Sequence, residues 1–414
     1  MHPCFQEEAK HTHSRVHLPV APRCNIQCNY CNRKYDCVSE SRPGVTSCVL
    51  APVQAVEYLR ALDERMEQLS VVGIAGPGDP FANPEETMDT LRGVRAAFPG
   101  KLICLSTNGL ELQPYIGALA ELGVSHVTLT INGIDPEVLS KVYQWVRFRK
   151  KVYRGIEAAR VLLEQQLGCI PLLKAKGIVV KINFIVIPGV NEHEIGSVAR
   201  VCADLGADMI NCIPLLPTPD TLFEGLEKPD AKTLFRVRTL AAEHLPLMSH
   251  CARCRADAAG LLGQDLSDTH ALMQEYASRL HLETEGRPYV AVGTNEGLLV
   301  NLHLGEATVL YIYRQTAKGF QFVEERRTPA PGTGDRRWLE LARLLSDCRA
   351  LLVSGAGEIP KSVLNGCSVH VIEMTGLIDE GLEGVYHHRV IRSIAKPDAF
   401  RCGSGCKGNA QGCA

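Results

Sequence analysis

Arg23-Cys24-Asn25-Ile26-Gln27-Cys28-Asn29-Tyr30-Cys31-Asn32 is the stretch from which the rest of the chain is best read. It spaces three cysteines as CxxxCxxC, with Tyr30 just before the last. Thiolates this close can hold three irons of a 4Fe–4S cubane and leave the fourth iron without a protein ligand from this loop. A structural metal site is normally closed by a further ligand. An open iron can chelate a small molecule and pass it one electron. The plain alternatives are a zinc knuckle lacking one ligand, or three unrelated cysteines.

Outward from this loop the chain alternates strand-like and helix-like stretches. Residues 15–23 form an extended lead into the cysteines. Helical periodicity covers 51–68, 84–98, 112–122, 150–169 and 192–205. Apolar strands are expected at 69–74, 101–106, 126–131, 177–187 and 209–215. Such near-continuous apolar runs predict an α/β fold of six β/α repeats whose parallel sheet is buried on both faces. Turn residues follow the strands: Gly76-Pro77-Gly78-Asp79-Pro80, Thr107-Asn108-Gly109, Asn132-Gly133 and Pro188–Asn191. Ligands of parallel α/β folds bind at the carboxyl ends of the strands, so these segments are expected to meet the cysteine loop on one face. Further on come a helical stretch at 230–248, the pair Cys251/Cys254 and a polar helix near 267–281. A linker at 283–287 opens a smaller α/β module with strands at 289–293, 297–303, 309–314, 320–326, 350–354 and 369–374, and a helix at 336–347. The expected domains are residues 1–282 and 283–398, with a Gly- and Cys-rich tail at 399–414.

The 414 residues allow two domains at a prior of roughly 150 residues each. At 45% hydrophobic and 22% charged the chain can bury a sizeable core. A net charge of −2 gives no electrostatic case for nucleic acid or membrane binding. No apolar run approaches the about 20 residues of a membrane span, and the first residues lack the apolar stretch of a secretory leader. A cytoplasmic protein is expected. In a reducing compartment the 17 cysteines are unlikely material for disulfides, and their short-spaced groups point to metal ligation. Cys169, Cys202, Cys348 and Cys367 read as ordinary small buried side chains.

The CxxxCxϕC form is typical of radical S-adenosylmethionine (SAM) enzymes. More specifically, His2-Pro3-Cys4-Phe5, residues 19–33, Tyr35-Asp36-Cys37, residues 41–46, Gly73–Pro80, Ser106–Gly109 and Cys251–Asp257 together resemble the NifB family of nitrogenase cofactor-biosynthesis proteins. The second module, with residues 297–306, looks like the NifX/NafY-type iron–molybdenum cofactor-binding domain. The resemblance implies a partial (β/α)6 TIM-like barrel followed by an RNase H-like domain. The activity implied is fusion of two 4Fe–4S clusters, K1 and K2, into a larger carbide-centred core. One SAM supplies the carbon, a second supplies the 5′-deoxyadenosyl radical, and one extra sulfur is added. Implied partners are iron–sulfur cluster donors, a one-electron reductant and downstream nitrogenase cofactor assembly proteins.

The same resemblance implies residue roles. Cys24, Cys28 and Cys31 would hold the SAM-binding cluster, and Tyr30 would lie against the adenine. Gly76 and Gly78 would let backbone approach the methionine end of SAM, where a Cβ would clash. Asn108, Thr130 and Asn132 are short polar groups at strand ends, suited to ribose or carboxylate. Ile185 and Ile187 belong to the strand that packs on adenine. Cys251 and Cys254, with Cys4 as third ligand, would hold one auxiliary cluster. Cys37, Cys104 and His17 would hold the other, the histidine being the more easily released ligand. In the second module, His303 and the tail residues Cys402, Cys406 and Cys413 are further candidates for contact with clusters. Two other readings remain open: a radical SAM enzyme with auxiliary clusters that modifies a peptide or small molecule, and a non-catalytic iron–sulfur scaffold.

Overall fold

The computed structural model describes all residues except 1, 4, 6, 40–43, 47, 67, 249, 252, 253, 267, 268, 280–285, 332–334, 388–390 and 392–414. It divides into two compact units, residues 1–277 and 278–414.

In the first unit, strands β1 (Ser14–His17), β3 (Leu69–Ile74), β4 (Leu102–Thr107), β5 (Val124–Thr130), β8 (Val179–Val186) and β9 (Met209–Pro214) run parallel and pair in that order. A short antiparallel pair, β10 (Ala259–Leu261) and β11 (Gln264–Asp265), extends the sheet beyond β1. The two outermost strands, β11 and β9, do not pair with each other, so this is an open half-barrel. Helices α1 (Pro52–Asp63), α2 (Pro84–Ala97), α3 (Ile116–Glu121), α5 (Gly155–Ala175) and α6 (Ile195–Asp204) connect the strands. A three-stranded sheet stands apart: β2 (Ile26–Cys28), β6 (Tyr143–Phe148) and β7 (Lys151–Tyr153), with α4 (Pro136–Val142) leading into β6.

Alternation along each strand sorts the side chains. Val72 and Ile74 of β3, Ile103 and Leu105 of β4, and Val180 and Ile182 of β8 join one core with Leu59, Leu91 and Leu173 of the helices. Among the alternate positions, Gly73, Cys104, Ser106, Lys181 and Asn183 line a cavity, which Ile74 and Leu105 also reach. The sheet is buried on both faces, as expected, β3 and β8 being buried along nearly their whole length. The inner face carries polar groups because it surrounds a cavity instead of packing on helices. One correction concerns residues 150–169. The helix starts at Gly155, and residues 143–153 form the β6–β7 hairpin. Helical periodicity in α5 masked the strand that precedes it.

In the second unit, β12 (Tyr289–Val292), β14 (Val309–Thr316), β15 (Gly319–Arg327), β16 (Cys348–Val353) and β17 (His370–Glu373) make a mixed sheet in the order β15-β14-β12-β16-β17. The first three strands are antiparallel and the last two run parallel to β12. That is the order expected of an RNase H-like domain. Trp338, Leu341 and Leu364 cover one face of this sheet, and Leu382, Val385 and Tyr386 the other.

His17, Gly73 and Cys104 occupy one rung across β1, β3 and β4. A Cβ on Gly73 would stand 2.9 Å from His17 Cδ2 and 3.1 Å from Cys104 Sγ. Gly73→Ala must push one of them aside, and overpacking of this kind costs about 1–3 kcal/mol. In denaturant titrations of the metal-free chain, Gly73→Ala is expected to lower the unfolding midpoint accordingly. Gly100→Ala, where nothing lies within 4 Å, should leave it unchanged. Equal midpoints for the two variants would contradict this packing.

Candidate active site

Cys28 closes β2, while Cys24 and Cys31 lie in the loops on either side of it. The three cysteines line one cavity of about 440 Å³ together with Tyr30, Cys37, Gly78 and Asn108. Asp79 ties the neighbouring strand ends together. Its carboxylate accepts from Asn108 N (2.6 Å), Thr107 Oγ1 (2.9 Å) and Phe81 N (2.9 Å), while its own amide donates to Arg23 O (2.8 Å). The loop after β3 is thereby fastened both to the end of β4 and to the residue before Cys24. Burial pushes the Asp79 carboxyl up from its ordinary range, against the pull of these hydrogen bonds.

The donor set fits a 4Fe–4S cluster. Burial pushes the Cys24 thiol up to about 12, with the Asp79 carboxylate adding to the shift. Cys28 is raised by burial and then by Cys31, and Cys31 by burial. Buried thiols in mutual repulsion become thiolates readily only when a metal replaces their protons. Among the described residues, no three His, Cys, Asp or Glu side chains converge on a single metal ion. Thiols arranged around a shared cavity suit a polynuclear cluster better than a zinc knuckle.

A second cavity, of about 660 Å³, lies within the half-barrel. His17 and Cys104 line it from the sheet, and Cys251 and Cys254 from the segment before β10. His17 Nδ1 donates to the carbonyl of Arg255 at 3.0 Å. A carbonyl can only accept, so in the neutral ring the lone pair lies on Nε2, the form required of a ligand. Buried Arg15 donates to Cys254 Sγ at 3.0 Å, a contact that favours the thiolate. Lys181 is 8% exposed. Its ammonium meets Met248 Sδ at 3.8 Å and the Phe5 ring at 5.0 Å, and no carboxylate among the described residues pairs with it. Ser39 lines both cavities. Its hydroxyl shares a hydrogen bond with Tyr30 Oη (2.9 Å), and its carbonyl accepts from Asn183 Nδ2 (3.1 Å).

Not every expected residue reaches a cavity. Tyr30, Gly78, Asn108 and Thr130 line the first one, and Cys37 joins them there, away from His17 and Cys104. Asn132 lines neither. Its amide donates to Tyr30 Oη (2.7 Å) and Tyr143 Oη (3.1 Å) and accepts from Ile185 N (2.9 Å), so it braces the aromatic wall. Ile185 and Ile187 are fully buried behind that wall. At Gly78 a Cβ would collide with the carbonyl of Arg23, so loop-to-loop packing already demands glycine there. Gly76 has φ +133, a value that favours glycine. Cys4 lies outside the described residues, as do Cys402, Cys406 and Cys413. Beside Cys4, His2 and Phe5 line the larger cavity, and His250 Nε2 donates to Pro3 O at 3.0 Å.

Sequence reasoning missed Asp79, Ser39, Arg15 and Lys181. A carboxylate set between Gly78 and Pro80 was a signal for Asp79. A lysine at an alternate position of a β-branched strand was one for Lys181. For Ser39 and Arg15 no local pattern stands out.

Two family models match the chain: the radical SAM superfamily over residues 18–202, and the dinitrogenase iron-molybdenum cofactor family over residues 287–387. A FeMo cofactor biosynthesis protein NifB from Chlorobaculum tepidum is 49% identical, over 100% of this chain and 98% of that protein. The NifB of Klebsiella pneumoniae is 41% identical over 87% of this chain and 84% of its own length. That of Azotobacter vinelandii is 36% identical over 94% and 88%. With a three-cysteine loop, a half-barrel and an appended domain in a chain matched by near full-length relatives, this chain belongs to the NifB family of radical SAM enzymes.

Proposed function

We propose that this enzyme of FeMo cofactor biosynthesis joins two 4Fe–4S cluster substrates into one carbide-centred iron–sulfur core, the precursor of the FeMo cofactor. A methyl group from one SAM becomes the central carbon. The 5′-deoxyadenosyl radical from a second SAM removes hydrogen from that carbon, and one further sulfur completes the core. Cluster donor proteins supply the substrates, and downstream assembly proteins receive the product. The observation that carries this reading is that His17, Cys104, Cys251 and Cys254 line one cavity, which shares Ser39 with the cavity of Cys24, Cys28 and Cys31. Auxiliary clusters serving only as electron relays would have no need to face each other across one open space.

When bound at Cys24, Cys28 and Cys31, the 4Fe–4S cluster supplies one electron to the sulfonium of SAM. The chain's own residues do the rest. Asp79 holds the loop backbones in register, and Asn108 and Thr130 offer polar groups to SAM. Asn132 fixes the Tyr30 ring through its hydroxyl. His17 and Cys104 on one side, and Cys251 and Cys254 on the other, grip the two cluster substrates. Cys4 completes the second set. Cys37 would complete the first from the neighbouring cavity that it lines, two residues from the shared wall at Ser39. Thiolate-ligated cubanes are anionic, and Lys181 presents the cavity with an ammonium that no carboxylate among the described residues pairs with. A nitrogen ligand at His17 binds iron more weakly than a thiolate, which suits a substrate that must leave.

Reconstituted anaerobically and given SAM and dithionite, the chain should form both 5′-deoxyadenosine and S-adenosylhomocysteine, with the methyl carbon retained in an iron–sulfur species. Deoxyadenosine without retained carbon would favour the peptide- or small-molecule-modifying reading. Cys24→Ala should abolish both products. His17→Ala should leave SAM binding intact and impair carbon retention, and undiminished retention would remove His17 from the ligand set. For Lys181→Met, which keeps the length and removes the charge, less auxiliary iron should be retained per chain after gel filtration, with SAM binding unchanged. Retention equal to the unaltered chain would leave Lys181 without this role.

A further inference from the structure

The β6–β7 hairpin carries a charge pattern that the site described above does not use. Residues 141–154 contain six cations, Lys141, Arg147, Arg149, Lys150, Lys151 and Arg154, and no acidic residue. All six are exposed, in a chain whose overall charge is −2. One of them meets a carboxylate among the described residues: Lys151, 3.3 Å from exposed Glu157.

The position of this patch matters as much as its charge. β6 pairs antiparallel with β2, the strand that ends in Cys28, with Gln27 opposite Trp145 and Cys28 opposite Tyr143. The Arg147 amide donates to Asn25 O at 2.8 Å. Neighbouring strands lie about 4.8 Å apart, so the hairpin is one strand removed from the cysteine loop. Tyr143 lines the first cavity and Arg147 is exposed to solvent, the two being set on opposite sides by a bulge where the pairing with β2 skips Gln144. A single strand therefore links the cluster site to a basic surface.

The turn supports a retained purpose for the charge. Arg149 (φ 49) and Lys150 (φ 66) form a two-residue loop with both residues in the left-handed region. Such hairpin turns favour Asn-Gly, because side chains beyond Cβ crowd the backbone there. Two cations stand at the tip where uncharged residues would fold more easily. Nearby rings order the patch: Lys151 Nζ lies 4.3 Å from the Tyr153 ring, and Arg149 Cζ 5.0 Å from the Phe148 ring. Arginine with aromatic side chains is also the composition of protein docking sites.

We infer that this hairpin is the docking surface for a small acidic one-electron carrier protein of the ferredoxin kind. The inference rests on the radical SAM reading above, since it names where the electron enters. Complementary charge steers a carrier onto the face nearest the cluster and makes the encounter salt-dependent. A basic patch attracts nucleic acid as well, but nucleic acid has no reason to sit one strand away from a cluster loop.

The test uses the cluster-loaded full chain and a purified 2[4Fe–4S] ferredoxin. Arg149→Asn/Lys150→Gly removes two charges and suits the turn, so it should not harm folding. Arg147→Glu/Arg154→Glu reverses two more. In anaerobic titration calorimetry at low salt, the first variant should bind the ferredoxin about fivefold more weakly and the second more weakly still, with added salt erasing the difference. Deoxyadenosine formation driven by reduced ferredoxin should fall in parallel. With dithionite, which needs no docking surface, it should be unchanged. Ferredoxin affinity equal to that of the unaltered chain in both variants would overturn the inference, as would RNA outcompeting the ferredoxin for the hairpin. A chain that cleaves no SAM even with dithionite would defeat the proposed function, while the titration would still decide the docking surface.

Discussion

A β-strand sends successive side chains to opposite faces, and the whole site depends on that constraint. On β3, β4 and β8 the helix-facing positions are Val, Ile and Leu, which assemble the core. The intervening positions are free to be Gly73, Cys104, Ser106, Lys181 and Asn183. A one-residue slip in register would bury these polar groups under helices and turn the apolar set into the cavity. Stability and chemistry are therefore separated by a single alternation, and the rung His17–Gly73–Cys104 is held by the same hydrogen bonds that hold the fold.

The second constraint is that strand ends must stay together while carrying groups that repel. Three buried thiols and a buried carboxylate share the first cavity's surroundings, and burial raises each of them from its ordinary range. Asp79 meets this by accepting from two backbone amides and a hydroxyl, so its polar atoms are satisfied by the loops it must position. Asn132 does the same for Tyr30, Tyr143 and Ile185. The ligand-binding loops are held by side chains that are themselves fully engaged, which keeps the cavity open without depending on what fills it.

Much of this was legible in the sequence. An extended lead and five apolar runs alternating with helical periodicity were enough for the parallel α/β sheet, the family resemblance implied its partial-barrel form, and the five strands of the second unit's larger sheet fall in runs recognisable by their β-branched and aromatic residues. The CxxxCxxC spacing located the first cavity, because local spacing survives folding. Other features depended on pairings distant in sequence. Asn132 looked like a ligand contact at a strand end, and only its bonds to residues 30, 143 and 185 make it a brace. Cys37 and Cys104 could not be assigned to different cavities from their positions in the chain. The β6–β7 hairpin hid beside a helix because its turn, Arg149-Lys150, lacks the Asn and Gly that usually announce one.

Central to the proposed function is that one polypeptide would gather three cubane sites, two of them facing each other across a single cavity. Mössbauer spectroscopy of the fully loaded, iron-57-enriched chain tests this most directly. The account predicts signals from three distinct 4Fe–4S clusters, one of which changes on adding SAM. A spectrum in which the fully loaded chain holds one cluster alone would contradict it.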